Sequence, residues 1–469
     1  MPIGHVTPEI ALLVGAVICL LAAVTLSQKR QWIGAALTGI STATAAGFAW
    51  HVSATAAPQL TFHGTWALDA PTTWATWTIC AATALVASLS PKWFQTDRRH
   101  GEWYALLLFS ALGAVLLAGA ADVMELMVGM LLTSVAGYTL ASFHRRSPAC
   151  AEAGAKYFFL GALTNSLLFL GIVLVYGLAG TTGYAGIREA LAAGADPVVA
   201  TAAFGLVVVG IVFELGAVPV HPWVPDVSEA SPAPAAAFLT VVPKIGALVA
   251  LARFVSLVPE GLVPWRELVA GLSVLTMTVG NLAALWQSDV RRLLGWSSVS
   301  QAGYGLMAVV ALGAASLALP ALIVFVVGYT AANLAAFGVV TSLRGRTDLE
   351  DYRGLAAGRP LHAAALTVAM LSLTGIPPLV GFFAKFALFG ATLEAGFAWL
   401  AVAAVLNTVV SLFYYLRVVG TMVLERPGDR PARLHRLAAW LAIGTSLATL
   451  VLGLLMDWWW PTDPLRMLP

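Results

Sequence analysis

Charge is what this chain has least of. Only 10% of its 469 residues are Asp, Glu, Lys or Arg, while 59% are hydrophobic and the mean hydropathy is +0.86. Soluble domains carry about 25% charged residues. A water-soluble fold is therefore excluded, and lipid must be the solvent. Cysteine is also scarce. Cys19, Cys80 and Cys150 show neither CxxC spacing nor a histidine partner pattern, which argues against a metal or iron–sulfur centre and leaves them as small apolar fillers. No alternation of polar and apolar residues marks a β-barrel, and no GxGxxG follows a strand. The opening MPIGHVTPEI lacks a basic run, so no cleaved signal peptide is expected and the first apolar helix should be retained.

What is present is a succession of apolar blocks without a polar domain between them. A membrane span needs about 20 mostly apolar residues. Fourteen segments qualify: 9–27, 32–50, 72–92, 102–121, 124–143, 155–178, 198–220, 232–255, 265–287, 293–315, 318–343, 361–392, 396–423 and 437–458. The chain therefore reads as one all-α polytopic membrane domain over residues 1–469. With the N-terminus outside, nineteen of the twenty-five Lys and Arg residues fall in inside loops: Lys29, Arg30, Lys92, Arg98, Arg99, Arg145, Arg146, Lys156, Arg291, Arg292, Arg344, Arg346, Arg353, Arg359, Arg417, Arg426, Arg430, Arg433 and Arg436. Four fall outside: Arg188, Arg253, Arg266 and Arg466. That bias favours fourteen spans with both termini on the outer side. The DWWWP run near the C-terminus fits an interfacial aromatic anchor.

The remaining two cations, Lys244 and Lys385, lie inside spans, each close to a proline. A charge at membrane depth is rarely kept unless it faces a polar interior. Prolines also interrupt the seventh span, in FELGAVPVHPWVPDV (Pro219, Pro222, Pro225), and the twelfth, in LTGIPPLVGFFAKF (Pro377, Pro378). Proline removes a backbone donor, and backbone groups freed at that depth must line a polar cavity or be buried in protein. One such site would fit a kink that serves packing. Two sites five spans apart, each near an ionisable residue, fit an inverted repeat of the kind found in ion-coupled transporters. The halves would run over 102–255 (helices 4–8) and 265–423 (helices 9–13), with helices 7 and 12 broken.

Several stretches carry a family resemblance: YALLLFSALGAVLLAGAADVMEL, AEAGAKYFFLGALTNSLLFLGIVLVYG, VPVHPWVPDVSEASPAPAAAFLTVVPKIGALVAL, GNLAALWQSDVRRLLGWSSVSQAGY, and LSLTGIPPLVGFFAKFALF followed by YYLRVV. In this order, over roughly 102–420, they resemble the antiporter-like membrane subunits of respiratory complex I, most closely the N-type. The resemblance implies fourteen core helices, two inverted five-helix bundles, and proton translocation driven by quinone reduction elsewhere in a NADH:quinone oxidoreductase. It implies no redox cofactor in this chain. Quinone, NADH, FMN and iron–sulfur clusters are expected in partner subunits, and the partners are other membrane-arm subunits and the bilayer, with no nucleic acid. The chain ends after the fourteenth span, without the long lateral helix of an L-type subunit.

Lys244, in VVPKIGA, matches the central lysine of the family's eighth helix, and Lys385, in GFFAKF, that of the broken twelfth. Burial opposes a lysine's charge and a nearby carboxylate supports it, which is the physical basis of a proton relay. Lysine can also snorkel to an interface, but Lys244 stands about twelve residues into its span, roughly 18 Å deep. Two positions depart from the family pattern. Its fifth-helix glutamate aligns with Leu131, and its seventh-helix lysine with Glu214. Glu125 is six residues before Leu131, about 240° around the helix, so it does not replace the lost group. A rim carboxylate is the blander reading of it. Glu214, beside the break at Pro219, is a candidate partner for Lys244. His221 sits at the same break and titrates near neutral pH. The candidate relay is thus Lys244, Lys385, Glu214 and His221, with Glu125 the weakest member. Thr164, Asn165, Ser166, Ser297, Ser298, Tyr304, Asn333 and Asn407 could extend a hydrated path, although singly such groups are more often helix–helix partners. Asp226 and Glu229 are expected to cap the next helix segment. Three readings stay open: a proton-translocating subunit of complex I in a bacterial cytoplasmic membrane, a subunit of a related cation/proton antiporter or hydrogenase complex, and a structural paralogue that no longer pumps.

Overall fold

The computed structural model describes residues 3–95, 97, 100–144, 146–426, 436–461 and 466–469. Arg98, Arg99, Arg145, Arg430 and Arg433, assigned above to inside loops, lie outside these residues. The helices are α1 Thr7–Thr25, α2 Ile33–Thr55, α3 Ala70–Leu89, α4 Gly101–Gly119, α5 Val123–Ala141, α6 Pro148–Ala179, α7 Tyr184–Gly194, α8 Pro197–Leu215, α9 Trp223–Ala230, α10 Ala233–Leu239, α11 Val242–Val255, α12 Trp265–Ala284, α13 Val290–Ala311, α14 Ala318–Ser342, α15 Leu355–Gly358, α16 Pro360–Thr374, α17 Val380–Glu394, α18 Ala398–Leu424, α19 Arg436–Leu454 and α20 Met456–Trp459. A short hairpin, β1 Gln59–Thr61 with β2 Trp66–Leu68, joins α2 to α3. Neither it nor α7 was expected from the sequence.

Local chemistry sets many of the ends. The side chains of Asp69, Asp122, Ser147, Asp196 and Asp289 accept hydrogen bonds from the first-turn N–H groups of α3, α5, α6, α8 and α13. Gly216 and Gly375 adopt positive φ, 62° and 95°, at the C-terminal ends of α8 and α16. Only glycine enters that region cheaply, so both breaks begin on a glycine and continue into proline.

Eleven helices among the described residues are long and apolar enough to cross a membrane, by length and composition. The fourteen expected segments are not all of that kind. α16 and α17 are half-length pieces of 15 residues each, separated at Gly375. α2 and α13, the latter carrying Arg291, Arg292, Ser297, Ser298 and Gln301, are not among the eleven. The eighth span was expected to be continuous over 232–255. It is interrupted at Thr240–Val241, with Pro243 at the start of α11.

The core is a stack of enclosed helices. α10 with α11 is wholly buried, and α14 and α4 nearly so. α4 packs on α1, α5 and α11, while α14 packs on α16, α17 and α19. Glycines allow the closest approaches: a Cβ on Gly246 would strike the Ala114 carbonyl of α4, and one on Gly381 the Ser372 carbonyl of α16. The outer faces carry exposed apolar residues such as Phe159, Leu170, Phe386 and Leu424, the surface a bilayer would wet. One buried ion pair ties the enclosed helices together. The Arg253 guanidinium on α11 donates to both carboxylate oxygens of Asp69 (2.7 and 2.6 Å) and to the Ala118 carbonyl of α4 (2.9 Å). Arg253 was counted above as an outside-loop cation. It is instead fully buried, as is its partner. Arg266 is also consumed internally, by Glu260 and the Val310 carbonyl.

Candidate functional site

Lys244 stands in the first turn of α11, just beyond the interruption between α10 and α11, and is 2% exposed. Its Nζ donates to the backbone carbonyl of Ser298 on α13 at 2.6 Å and lies 6.0 Å from the Tyr329 ring of α14. The Tyr329 hydroxyl is 2.7 Å from the Thr240 carbonyl and 2.9 Å from Ser298 Oγ. Asn333 Nδ2 donates to Thr240 Oγ1 at 2.9 Å. The interruption thus frees polar groups at Thr240, and α14 supplies partners for them, as backbone at membrane depth requires.

Lys385 on α17 is built in a parallel way. It is 4% exposed, its Nζ donates to the Thr374 carbonyl at the end of α16 (3.0 Å), and it lies over the Tyr304 ring at 4.1 Å. The terminal carbonyls of a helix have no partner within it, so the lysine answers a group that the break leaves open. Tyr304 belongs to α13, as does Ser298. Both lysines therefore meet one helix, six residues apart along it, about 9 Å by helical rise. Around it, Gln301 Nε2 donates to the Leu373 carbonyl (2.9 Å), Ser297 Oγ is 2.6 Å from the Tyr415 hydroxyl of α18, and the Tyr304 hydroxyl is 2.9 Å from Thr408 Oγ1. Among the described residues no carboxylate lies within ion-pairing distance of either lysine.

The family description "NADH:quinone oxidoreductase/Mrp antiporter, TM" matches residues 120–411, which hold all of these groups except Tyr415. The chain belongs to that family. Its similarity to the NADH-quinone oxidoreductase subunit N of Mycobacterium sp. strain JLS is 42% identity over 446 residues, covering 93% of this chain and 94% of that one. A chain of respiratory complex I from Thermus thermophilus with bound aureothin superposes with a TM-score of 0.82 at 31% identity, covering 96% and 97%. A chain of the Mrp complex from Dietzia sp. superposes with a TM-score of 0.86 at 22% identity, covering 98% and 96%, a likeness of fold alone.

For a member of this NADH:quinone oxidoreductase/Mrp antiporter family, the acid arrangement needs correction against the sequence reading. Glu214, fully buried at the end of α8, does not pair with Lys244. Its Oε1 accepts from Ser134 Oγ of α5 at 2.5 Å, while Oε2 is buried without a partner. Leu131, one turn before Ser134, points to the outer surface at 41% exposure. Glu125 is in the first turn of α5, partly buried, with Oε2 unpartnered, and is not brought to the lysines. Glu9 of α1, which the sequence reading passed over, is a third acid with a buried, unpartnered oxygen. His221 lies in the α8–α9 break, with Nδ1 buried and unpartnered and its ring 5.5 Å from that of Trp296.

Asp226 and Glu229 do not cap α10, whose N-cap is Pro232. Asp226 instead accepts from Lys156 of α6 and Arg292 of α13, each at 2.9 Å, and Glu229 pairs with Arg292 at 2.6 Å. Of the wider polar set, Thr164 and Ser166 bond within their own helix. Asn165, Ser297, Ser298, Tyr304, Asn333 and Asn407 join neighbouring helices. The sequence reading missed Ser134, Thr240, Tyr329, Gln301, Asn281 and Tyr415. Lone hydroxyls and amides in apolar helices carry no signal of their own. Only their spacing from the breaks, as with Thr240 three residues before Pro243, could have marked one of them.

Proposed function

We propose that this chain is a proton-translocating membrane-arm subunit of a complex I-type NADH:quinone oxidoreductase. It works beside other membrane-arm subunits, and the redox chemistry takes place in partners. The observation that carries this reading is a pair of buried lysines, each placed at a helix break, each held by a single backbone carbonyl, and both meeting α13. A carbonyl accepts an N–H bond from an amine or an ammonium alike. Each lysine can therefore change charge without losing its partner, as a relay station must. Lys244 and Lys385 are the relay groups. Glu214 is the acid of the first half, and His221 and Glu125 are auxiliary groups toward the helix ends.

The relay spans two inverted halves, 102–255 and 265–423, within a fourteen-helix core whose termini lie on the outer side of a bacterial cytoplasmic membrane. The paired breaks at Gly216 and Gly375, with Glu214 beside the first and Lys385 beside the second, support that arrangement. The names of the relatives with most of their length aligned support complex I over an antiporter or hydrogenase assembly. In the assembled complex, Lys244→Ala or Lys385→Ala is expected to lower the protons pumped per NADH while leaving assembly intact. Full pumping in both variants would end the relay reading. Co-purification without flavin and iron–sulfur subunits would end the complex I reading.

One observation favours a second reading, a subunit that has lost pumping in its first half. The buried acid there is engaged by a serine hydroxyl, and no lysine occupies the family's seventh-helix position.

A further inference from the structure

A cleft of about 670 Å³ opens between the C-terminal end of α2, the N-terminal end of α3 and the tryptophans of α20. Its walls include Trp74, Trp77, Trp458, Trp459 and Trp460, with Arg466 at its edge, and Val52, Ala56 and Leu68 supply an apolar side. The rings are ordered against one another: Trp74 meets Trp77 edge-on at 5.3 Å and tilts against Trp459 at 6.2 Å. Two of the indoles are spent, Trp77 Nε1 on the Ala46 carbonyl and Trp459 Nε1 on the Leu452 carbonyl.

Among the described residues the other three indoles have no acceptor and Arg466 has no carboxylate partner. The one acid lining the cleft, Asp69, has both oxygens bound by Arg253. Among the described residues the cleft therefore offers donors and one unpaired positive charge, but no free anionic acceptor. That chemistry fits a ligand rich in acceptor oxygens and negatively charged. Tryptophan sits where headgroups meet hydrocarbon, and a basic residue at that level draws anionic lipid. The Val52, Ala56 and Leu68 side suits the first carbons of an acyl chain.

The geometry points to a binding site for the headgroup of one anionic phospholipid, its phosphodiester met by Arg466 and the free indole N–H groups and its acyl chain laid along α2. This site is separate from the lysine axis and does not depend on the proton-relay reading.

The test is a lipid titration of the full chain in detergent, stripped of lipid, with bound lipid counted by native mass spectrometry. Phosphatidylglycerol and phosphatidylcholine are compared at equal concentration. One phosphatidylglycerol is expected to be retained, about fivefold more tightly than phosphatidylcholine for one favourable cationic contact. Arg466→Gln is expected to abolish that preference. Trp458→Ala with Trp460→Ala is expected to weaken both lipids. Arg466 is exposed, so an unchanged thermal midpoint should accompany the loss in Arg466→Gln. Equal retention of the two lipids, or an Arg466→Gln protein that keeps its preference, would overturn the assignment, as would a neighbouring subunit filling the cleft in the assembled complex.

Discussion

Glu214 is a fully buried acid at the end of α8, and its surroundings define what it can do. A fully buried carboxylate with one oxygen bonded to Ser134 and the other without a partner is poised to accept a further donor. A hydrogen bond to a charged group contributes about 1.5–3 kcal/mol. Ser134→Ala should therefore lower the thermal midpoint measurably, and a second-site gain is not expected. Glu214→Gln keeps the shape and removes the proton-binding oxygen. If Glu214 relays protons, pumping by the assembled complex falls while assembly is unchanged. If pumping and assembly are both unaffected, Glu214 is only a structural group and the first half is a scaffold. The depth of Lys244, Lys385 and Glu214 was legible from their place in apolar runs. The partner of each was not, because neither a bond to a backbone carbonyl nor one to a lone serine on another helix leaves a mark in the local sequence.

The breaks belong to the next scale. Proline and glycine announce them locally, so the α8–α9 and α16–α17 interruptions could be read from the chain. The α10–α11 interruption was not read, because its one proline, Pro243, occupies a first-turn position that a continuous helix start also tolerates. What makes a break useful is how closely the two pieces pack. Gly381 of α17 abuts the Ser372 carbonyl of α16 one turn before Lys385. Gly381→Val should force the pieces apart and draw Lys385 off the Thr374 carbonyl, at a cost of about 1–3 kcal/mol for overpacking. Both the thermal midpoint and pumping are expected to fall. Gly390→Ala on the same helix, whose nearest neighbour would be Leu317 at 3.4 Å, should change neither. Equal behaviour of the two variants would show that the α16–α17 contact does not position the lysine.

At the scale of the molecule, α13 emerges as the meeting line of the two lysines, and the Arg253–Asp69 pair as the tie between α3, α4 and α11. Neither is a property of any one segment. The pair joins residues 184 positions apart. Orientation is also a whole-chain property. It was read from nineteen basic residues against four, and of those four Arg253 and Arg266 are spent internally. All three native cysteines are buried, so an introduced thiol can report the side. Arg188→Cys on α7 should react with a membrane-impermeant maleimide on intact cells, and Lys29→Cys between α1 and α2 only after permeabilisation. The reverse pattern would invert the topology.

By itself the sequence determined the solvent, the helical class, the family and the burial of Lys244, Lys385 and Glu214. Those follow from composition, from spans of hydrocarbon length and from proline and glycine chemistry, all of which act within a few residues. Only the tertiary structure decided that Glu214 answers Ser134 rather than Lys244, that Lys244 answers a mid-helix carbonyl of α13 and Lys385 the open carbonyl at the end of α16, and that Arg253 lies inside the bundle. Partner choice between helices far apart in the chain is set by which faces pack together and which polar groups the packing must satisfy, and no local pattern encodes that.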